Sequence, residues 1–106
     1  MIFKIKVGAT AKKDAREVRQ YIAEQLQAPQ TANAYFLRIM RAILSLKEMP
    51  ERFRLFFDNP VDCKKWQNLR TMTVGSYQVL YTVNLKKKEV FIRRILYGKR
   101  DIKSLL

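Results

Sequence analysis

Arginine, lysine and tyrosine are the residue types through which this sequence can act on charged groups, because it contains no histidine and a single cysteine, Cys63. The lack of histidine excludes histidine acid–base chemistry and any histidine-containing metal site, and one cysteine cannot furnish a zinc cluster. Arginines are candidates for holding a phosphate, since a guanidinium keeps its charge and binds oxyanions through paired hydrogen bonds. Lysines can add further positive charge beside them. We therefore expect a site of cations and phenols, with no cofactor and no metal.

Further candidates lie in the middle of the chain and near its end. We expect four cations to bind phosphate or a target molecule: Arg93, Arg94, Lys64 and Lys65. Tyr97 precedes a glycine and is a candidate proton donor or acceptor, although it can equally be a packing residue.

Other residues of the same types have simpler interpretations. Tyr77 and Tyr81 share one face of a predicted strand with Val79 and Val83, so we interpret both tyrosines as core residues. Lys86–Lys88 occupy a predicted turn and are interpreted as a solvated charge run, although a nucleic acid could use them.

Composition and charge limit the classes of protein that this chain can belong to. Residues 1–106 suit one domain, and 48% hydrophobic residues with only three Gly and three Pro indicate a folded chain. The 22 Lys and Arg against 9 Asp and Glu give a formal charge of +13, which attracts phosphates or an acidic protein. The alternative is a basic surface that serves solubility alone.

The same sequence indicates a cytoplasmic protein without a membrane anchor. Cys63 has no cysteine to pair with inside the chain, which fits a reducing compartment. The first seven residues alternate in polarity and lack the apolar core of a signal peptide, and no later apolar run is long enough to cross a bilayer.

The first half of the chain predicts a strand and a helical hairpin. Residues 3–7 alternate between apolar residues and lysine, which is typical of a half-buried strand near a sheet edge. Apolar residues spaced by three and four predict helices over 11–26 and 31–48, with Thr10 and Thr31 as their capping residues. So short a connection between two helices favours an antiparallel hairpin.

The second half predicts a long surface loop and a β-meander. Residues 50–66 show no clear period and contain turn residues. Strand patterns follow over 67–74, 77–83 and 89–96, and Gly75-Ser76 suits a type II′ turn. The predicted fold class is α+β: an N-terminal strand, an antiparallel helical hairpin, then a three-stranded antiparallel meander forming one sheet packed on the hairpin.

The last predicted strand has no cleanly polar face. Val90, Ile92, Arg94 and Leu96 alternate with Phe91, Arg93 and Ile95. One face should meet the helices, so we expect the other to form a shallow groove that mixes aliphatic side chains with arginine. Such a groove suits phosphates or an amphipathic peptide.

Four segments, in this order, resemble the toxins of the RelE/ParE superfamily: "AKKDAREVRQYIAEQL", "IMRAILSLKEMPERF", "LRTMTVGSYQVLYTV" and "VFIRRILYGKRDI". The resemblance covers nearly the whole chain. It implies a bacterial type II toxin that inhibits growth and is neutralised by a cognate antitoxin. The antitoxin's flexible acidic segment would wrap the toxin and lie across its groove.

The superfamily has two kinds of target, and the residues decide between them only weakly. RelE-like members cut ribosome-bound mRNA, whereas ParE-like members poison DNA gyrase. For a ribonuclease, the resemblance places the basic site residue at Arg100, joined by Lys99, Arg70 and Tyr97, whereas Leu106 stands where RelE-type nucleases carry a tyrosine. This departure favours a ParE-like gyrase poison. The alternatives are a ribosome-dependent endoribonuclease and, third, a non-catalytic RNA-binding protein.

Overall fold

The predicted order of strand, two helices and three strands is confirmed by a computed structural model, which describes residues 2–25, 27–57, 68–98 and 102. The strands are β1 (Lys4–Val7), β2 (Arg70–Val74), β3 (Tyr77–Asn84) and β4 (Glu89–Tyr97). The helices are α1 (Ala9–Gln20), which continues into a π-helical turn at Tyr21–Gln25, and α2 (Pro29–Leu44), followed by 3₁₀ turns at Ser45–Lys47 and Pro50–Arg52.

The four strands form one mixed sheet in the order β1-β4-β3-β2. The meander β2-β3-β4 is antiparallel, and β1 pairs in parallel with β4 from Lys4 opposite Glu89 to Val7 opposite Ile92. β1 lies at the sheet edge, as its lysines predicted. At Gly8 the chain turns into α1, so β1 covers only the first half of β4.

The two predicted helix caps are wrong. α1 begins after Gly8 and α2 after Ala28, and neither N-terminus has a side-chain capping bond. α2 instead starts on Pro29, whose fixed φ suits a first helical residue and whose missing N–H needs no partner there. Thr10 and Thr31 therefore lie one or two residues inside the helices that they were expected to cap.

The tight turn between β2 and β3 is confirmed and rests on α2. Gly75 has a φ of 58°, a conformation that glycine adopts without steric cost. The Tyr35 hydroxyl accepts a hydrogen bond from the Ser76 N–H at 2.7 Å and donates one to the Val74 carbonyl oxygen at 3.3 Å. A Cβ at position 75 would overlap this hydroxyl. The Tyr35 hydroxyl therefore connects the helical hairpin to the meander at this end of the sheet.

A β-bulge decides which residues of β4 face the helices. Leu80 lies opposite Arg94 and Tyr81 opposite Ile92, so Arg93 is the extra residue in β4. Because of this extra residue, Ile95 faces the helices together with Val90 and Ile92, while Leu96 faces away. The simple alternation expected for this strand is wrong beyond Ile92.

The expected groove of aliphatic side chains and arginine on the second face of the sheet is covered around Leu80 and Leu96, whereas Phe91 and Arg93 remain partly exposed. Leu80 and Leu96 are 0% and 3% exposed and pack with Leu69, Phe57 and Ile102 in a small second core. The main core lies on the other face, between the hairpin and the sheet. Its largest fully buried side chains include Tyr81, Ile39, Leu46 and Ile92.

The described part of the segment expected to be a long loop contacts the sheet, and its remainder, residues 58–66, lies outside the described residues. After the 3₁₀ turn at Pro50–Arg52, Leu55 bridges to Arg70, the first residue of β2. Within the ranges described above, no helix is both long enough and apolar enough to span a membrane.

Candidate functional site

The predicted site residues do not form one cluster among the described residues. Lys64, Lys65, Lys99 and Arg100 lie outside those residues. Arg70, Arg93, Arg94 and Tyr97 are described, and each has a different environment.

Arg94 is bound to a buried carboxylate of the helical hairpin. Its Nε donates to Asp14 Oδ2 at 2.8 Å, and its Nη2 donates to Oδ1 at 3.2 Å. Asp14 is only 5% exposed, and the hydrogen bond that it accepts is the largest cause of the raised pKa of Arg94. A buried carboxylate needs such a cation, because an uncompensated buried charge is strongly destabilising. This pair joins α1 to β4.

Arg70 holds the turn that follows the hairpin. Its Nη1 donates to the Phe53 carbonyl oxygen at 2.6 Å and to the Glu51 carbonyl oxygen at 3.2 Å. Its Nη2 lies 3.5 Å from Glu51 Oε2. The guanidinium therefore satisfies carbonyl groups at the start of the connection to β2.

Tyr81 supports the same turn from inside the core, as its interpretation as a core residue required. Its hydroxyl donates to the Pro50 carbonyl oxygen at 2.6 Å, and the side chain is fully buried. Burial raises the pKa of this phenol to about 12. The hydroxyl therefore stays protonated near neutral pH, where it acts as a structural donor.

Tyr97 lies at the far end of the sheet from Arg70. Tyr97 is opposite Tyr77 on β3, whereas Arg70 is opposite Tyr81. Tyr77 and Tyr81 are offset by four residues along β3, which corresponds to about 13 Å. Arg70 and Tyr97 are therefore not placed to act on one phosphate.

Tyr97 instead lines a cavity of about 710 Å³ between the hairpin and the end of β4. Three other tyrosines line the same cavity, which we call the tyrosine-lined cleft: Tyr21, Tyr35 and Tyr77. The Tyr35 and Tyr77 rings meet edge to face at 5.5 Å, and the Tyr77 and Tyr97 rings lie 5.7 Å apart. Tyr21 and Tyr97 are 53% and 39% exposed, so the cleft presents aromatic surface to solvent.

One wall of the tyrosine-lined cleft is the edge of β4 beyond the end of β1. Because β1 ends opposite Ile92, the part of β4 from Arg93 to Tyr97 has a strand neighbour on one side only within the described residues. The Ile95 N–H on this edge donates to Asp14 Oδ2 at 3.0 Å. The Asp14 carboxylate thus accepts a hydrogen bond from a backbone N–H that a neighbouring strand would otherwise bond.

The local sequence pattern does not reveal this cleft. Tyr35 fits the apolar spacing of α2, and nothing in that pattern brings it near Tyr97. The one available signal was Tyr21, an aromatic residue outside the apolar stripe of α1.

Arg93 lies on the opposite face of the sheet from the hairpin. Its guanidinium carbon is 4.1 Å from the centroid of the Phe91 ring, and its Nε donates to Thr82 Oγ1 at 3.2 Å. Lys6 is opposite Phe91 on β1 and forms an ion pair with Glu89 at 3.1 Å. This face is cationic and unlike the tyrosine-lined cleft.

Comparisons with known proteins agree on the fold. Residues 5–102 match the family described as the ParE toxin of type II toxin–antitoxin system, parDE. The chromosomal ParDE system of P. aeruginosa is similar with a TM-score of 0.74 at 18% identity, covering 92% of this chain and 98% of that chain. No match is found among curated proteins.

Two RelE structures share the same fold. The archaeal RelE–RelB complex from Pyrococcus horikoshii has a TM-score of 0.59 at 18% identity and covers 94% of this chain and 99% of that chain. The isolated E. coli RelE toxin has a TM-score of 0.56 at 17% identity and covers 98% and 99%.

Proposed function

This chain belongs to the ParE toxin family of type II toxin–antitoxin systems, and from that premise we propose that it poisons DNA gyrase without cutting nucleic acid itself. The family makes it a toxin, and an antitoxin is its partner. The choice of gyrase as target and the absence of hydrolysis are the proposal.

The observation that carries the proposal is that Arg70, Arg94 and Tyr97, the described candidates for an RNA-cleaving site, lie in separate environments. Such a site needs a proton acceptor, a proton donor and positive charge around one phosphate. Arg70 is bound to backbone carbonyls, Arg94 is bound to Asp14, and Tyr97 lies at the other end of the sheet from Arg70. These positions support a toxin that acts by binding.

The second candidate is a RelE-like, ribosome-dependent mRNA endoribonuclease. It is favoured by one observation: Tyr97 is 39% exposed and directly precedes Gly98, Lys99 and Arg100 in the chain. A phenol beside two cations can supply the proton transfer and the charge that cleavage requires.

We propose further that apolar residues of the antitoxin's flexible segment occupy the tyrosine-lined cleft, whose charged lining residues, Asp14 and Glu17, are both acidic. Exposed aromatic surface and the edge of β4 beyond β1 together suit an extended peptide, because backbone bonds can continue the sheet while side chains enter the cavity. The formal charge of +13 attracts an acidic segment to the toxin as a whole. The antitoxin would therefore bind mainly where the hairpin meets the end of β4.

Two assays with the purified chain separate the candidate targets. We expect the protein to stabilise cleaved DNA in a gyrase supercoiling reaction and to leave mRNA intact in a reconstituted translation reaction. The same reactions containing a molar excess of cognate antitoxin are the control and should show no effect. Ribosome-dependent mRNA cleavage with unimpaired gyrase would replace the first proposal by the second.

A further inference from the structure

The second face of the sheet is divided into a covered half and an open half. The covered half, around Leu80 of β3 and Leu96 of β4, packs with Leu69, Phe57 and Ile102. The half built from β1, the start of β4 and the end of β3 is left open, with Lys4 and Lys6 exposed and Phe91 and Arg93 partly exposed. It lies on the opposite side of the sheet from the hairpin.

Cations dominate this open half. The Lys4 N–H donates to the Lys88 carbonyl oxygen at 2.9 Å, which brings the β3–β4 turn beside β1. Lys86, Lys87 and Lys88 of that turn are all exposed. We call this surface the basic sheet face, and it consists of Lys4, Lys6, Lys86, Lys87, Lys88, Phe91 and Arg93. Its acidic neighbour Glu89 forms an ion pair with Lys6.

The basic sheet face suits contacts with phosphate groups and does not suit stacking of bases. An aromatic ring on an open sheet can stack an unpaired base, but the guanidinium of Arg93 already lies 4.1 Å from the Phe91 ring centroid. Arg93 is also held by Thr82, so its charge has a fixed position above the sheet. The surface therefore presents positive charge, but the Phe91 ring is covered by Arg93 and does not present an open face for base stacking.

We propose that the basic sheet face binds the sugar–phosphate backbone of duplex DNA without reading its base sequence. Lysine contacts with phosphate release counterions, and this release drives binding that is independent of sequence and sensitive to salt. The exposed Lys6–Glu89 pair opposes this only weakly, because surface ion pairs contribute little free energy. The contact goes beyond the proposed action on gyrase, because it requires no other protein.

The test measures binding of the purified full chain to a labelled duplex of about 20 base pairs and arbitrary sequence by fluorescence anisotropy over a range of salt concentrations. The double variant Lys4→Gln/Lys6→Gln removes two cations from the basic sheet face. The double variant Lys12→Gln/Lys13→Gln removes two exposed cations from α1 and is the matched control. Thermal unfolding of each variant establishes that it is folded.

We expect the Lys4→Gln/Lys6→Gln variant to bind at least about tenfold more weakly at low salt, and the slope of log affinity against log salt to fall by about two. The control variant should change the affinity by less than about twofold. Duplexes of two unrelated sequences should bind equally well, and a single strand of the same length should bind more weakly.

Three results would overturn the inference: equal losses in the two variants, tighter binding to the single strand, or no binding to duplex at about 50 mM salt. Because gyrase is absent from this measurement, its outcome is independent of the gyrase assay. Failure to poison gyrase with intact duplex binding would refute the proposed function alone.

Discussion

Asp14 and Arg94, one on α1 and the other on β4, form a paired contact in which Arg94 Nε and Nη2 donate to Asp14 Oδ2 and Oδ1 at 2.8 and 3.2 Å. Asp14 Oδ2 also accepts a hydrogen bond from the N–H of Ile95, at the point where β1 no longer pairs with β4. One carboxylate thus fixes the hairpin to the sheet and satisfies a backbone group that would otherwise face an empty strand position. The tyrosine-lined cleft opens directly beside it.

We predict that Asp14→Ala lowers the free energy of unfolding by about 3 to 5 kcal/mol, because it removes the carboxylate that accepts hydrogen bonds from the Arg94 guanidinium and the Ile95 N–H. Urea denaturation followed by circular dichroism measures the change. Glu17→Gln on the same helix is the control and should cost less than about 0.5 kcal/mol, since Glu17 is exposed and only weakly paired. Similar losses in both variants would show that Asp14 has no special role.

Arg70 and Arg100 should respond differently to substitution by alanine. Arg70→Ala removes bonds to the Phe53 and Glu51 carbonyl oxygens, so we expect a loss of about 2 kcal/mol in the free energy of unfolding. For Arg100→Ala we expect weaker growth arrest upon induction with unchanged stability, because the family resemblance gives this residue a functional role. Urea denaturation and colony counts after induction measure the two effects. An unstable Arg100→Ala variant would assign that arginine to the structure.

The Tyr81 phenol should contribute a pH-dependent stability on the alkaline side only. Burial raises its pKa from 10.0 to about 12 in the folded protein, so the folded state favours the protonated form. This contribution is fully present below pH 10 and is lost as the pH rises from about 10 to about 12. We expect Tyr81→Phe to be less stable at pH 7, because the Pro50 carbonyl oxygen loses its donor, and to lose less further stability above pH 10.

Thermal unfolding between pH 7 and 12 measures this difference. Tyr21→Phe is the control, since Tyr21 is exposed and its substitution should leave the alkaline profile of the parent protein unchanged. Identical alkaline profiles for Tyr81→Phe and the parent would contradict the prediction.

The tyrosine-lined cleft makes a separate prediction about the antitoxin. Tyr21→Ala should weaken binding of the cognate antitoxin by about thirtyfold, because an exposed aromatic residue at the centre of an interface commonly contributes about 2 kcal/mol. Leu37→Ala is the matched control, since Leu37 is 52% exposed on α2 and does not line the cleft. Calorimetric titration with the antitoxin measures both affinities. A larger loss for Leu37→Ala would move the interface to the outer face of α2.

Much of the fold follows from local patterns in the sequence. Alternation over residues 3–7 and spacing of three and four in the two helices each depend on neighbouring residues only, and they are enough to fix the type and order of these elements. The two-residue turn at Gly75-Ser76 likewise follows from residue type. Helix ends were less predictable, because Pro29 began a helix that Thr31 was expected to cap.

The fold class, the basic charge and the resemblance to a toxin family follow from the chain read in one dimension, because periodicity, composition and motif order are properties of that order of residues. The contact of Arg94 with Asp14, eighty residues away in the chain, and the shared cleft of Tyr21 and Tyr97 arise only when the chain is folded. The bulge between Leu80 and Tyr81 explains why the side of the sheet on which Tyr97 lies could not be predicted. One extra residue reverses the side-chain alternation of a strand, and its position depends on pairing between strands and not on local preference.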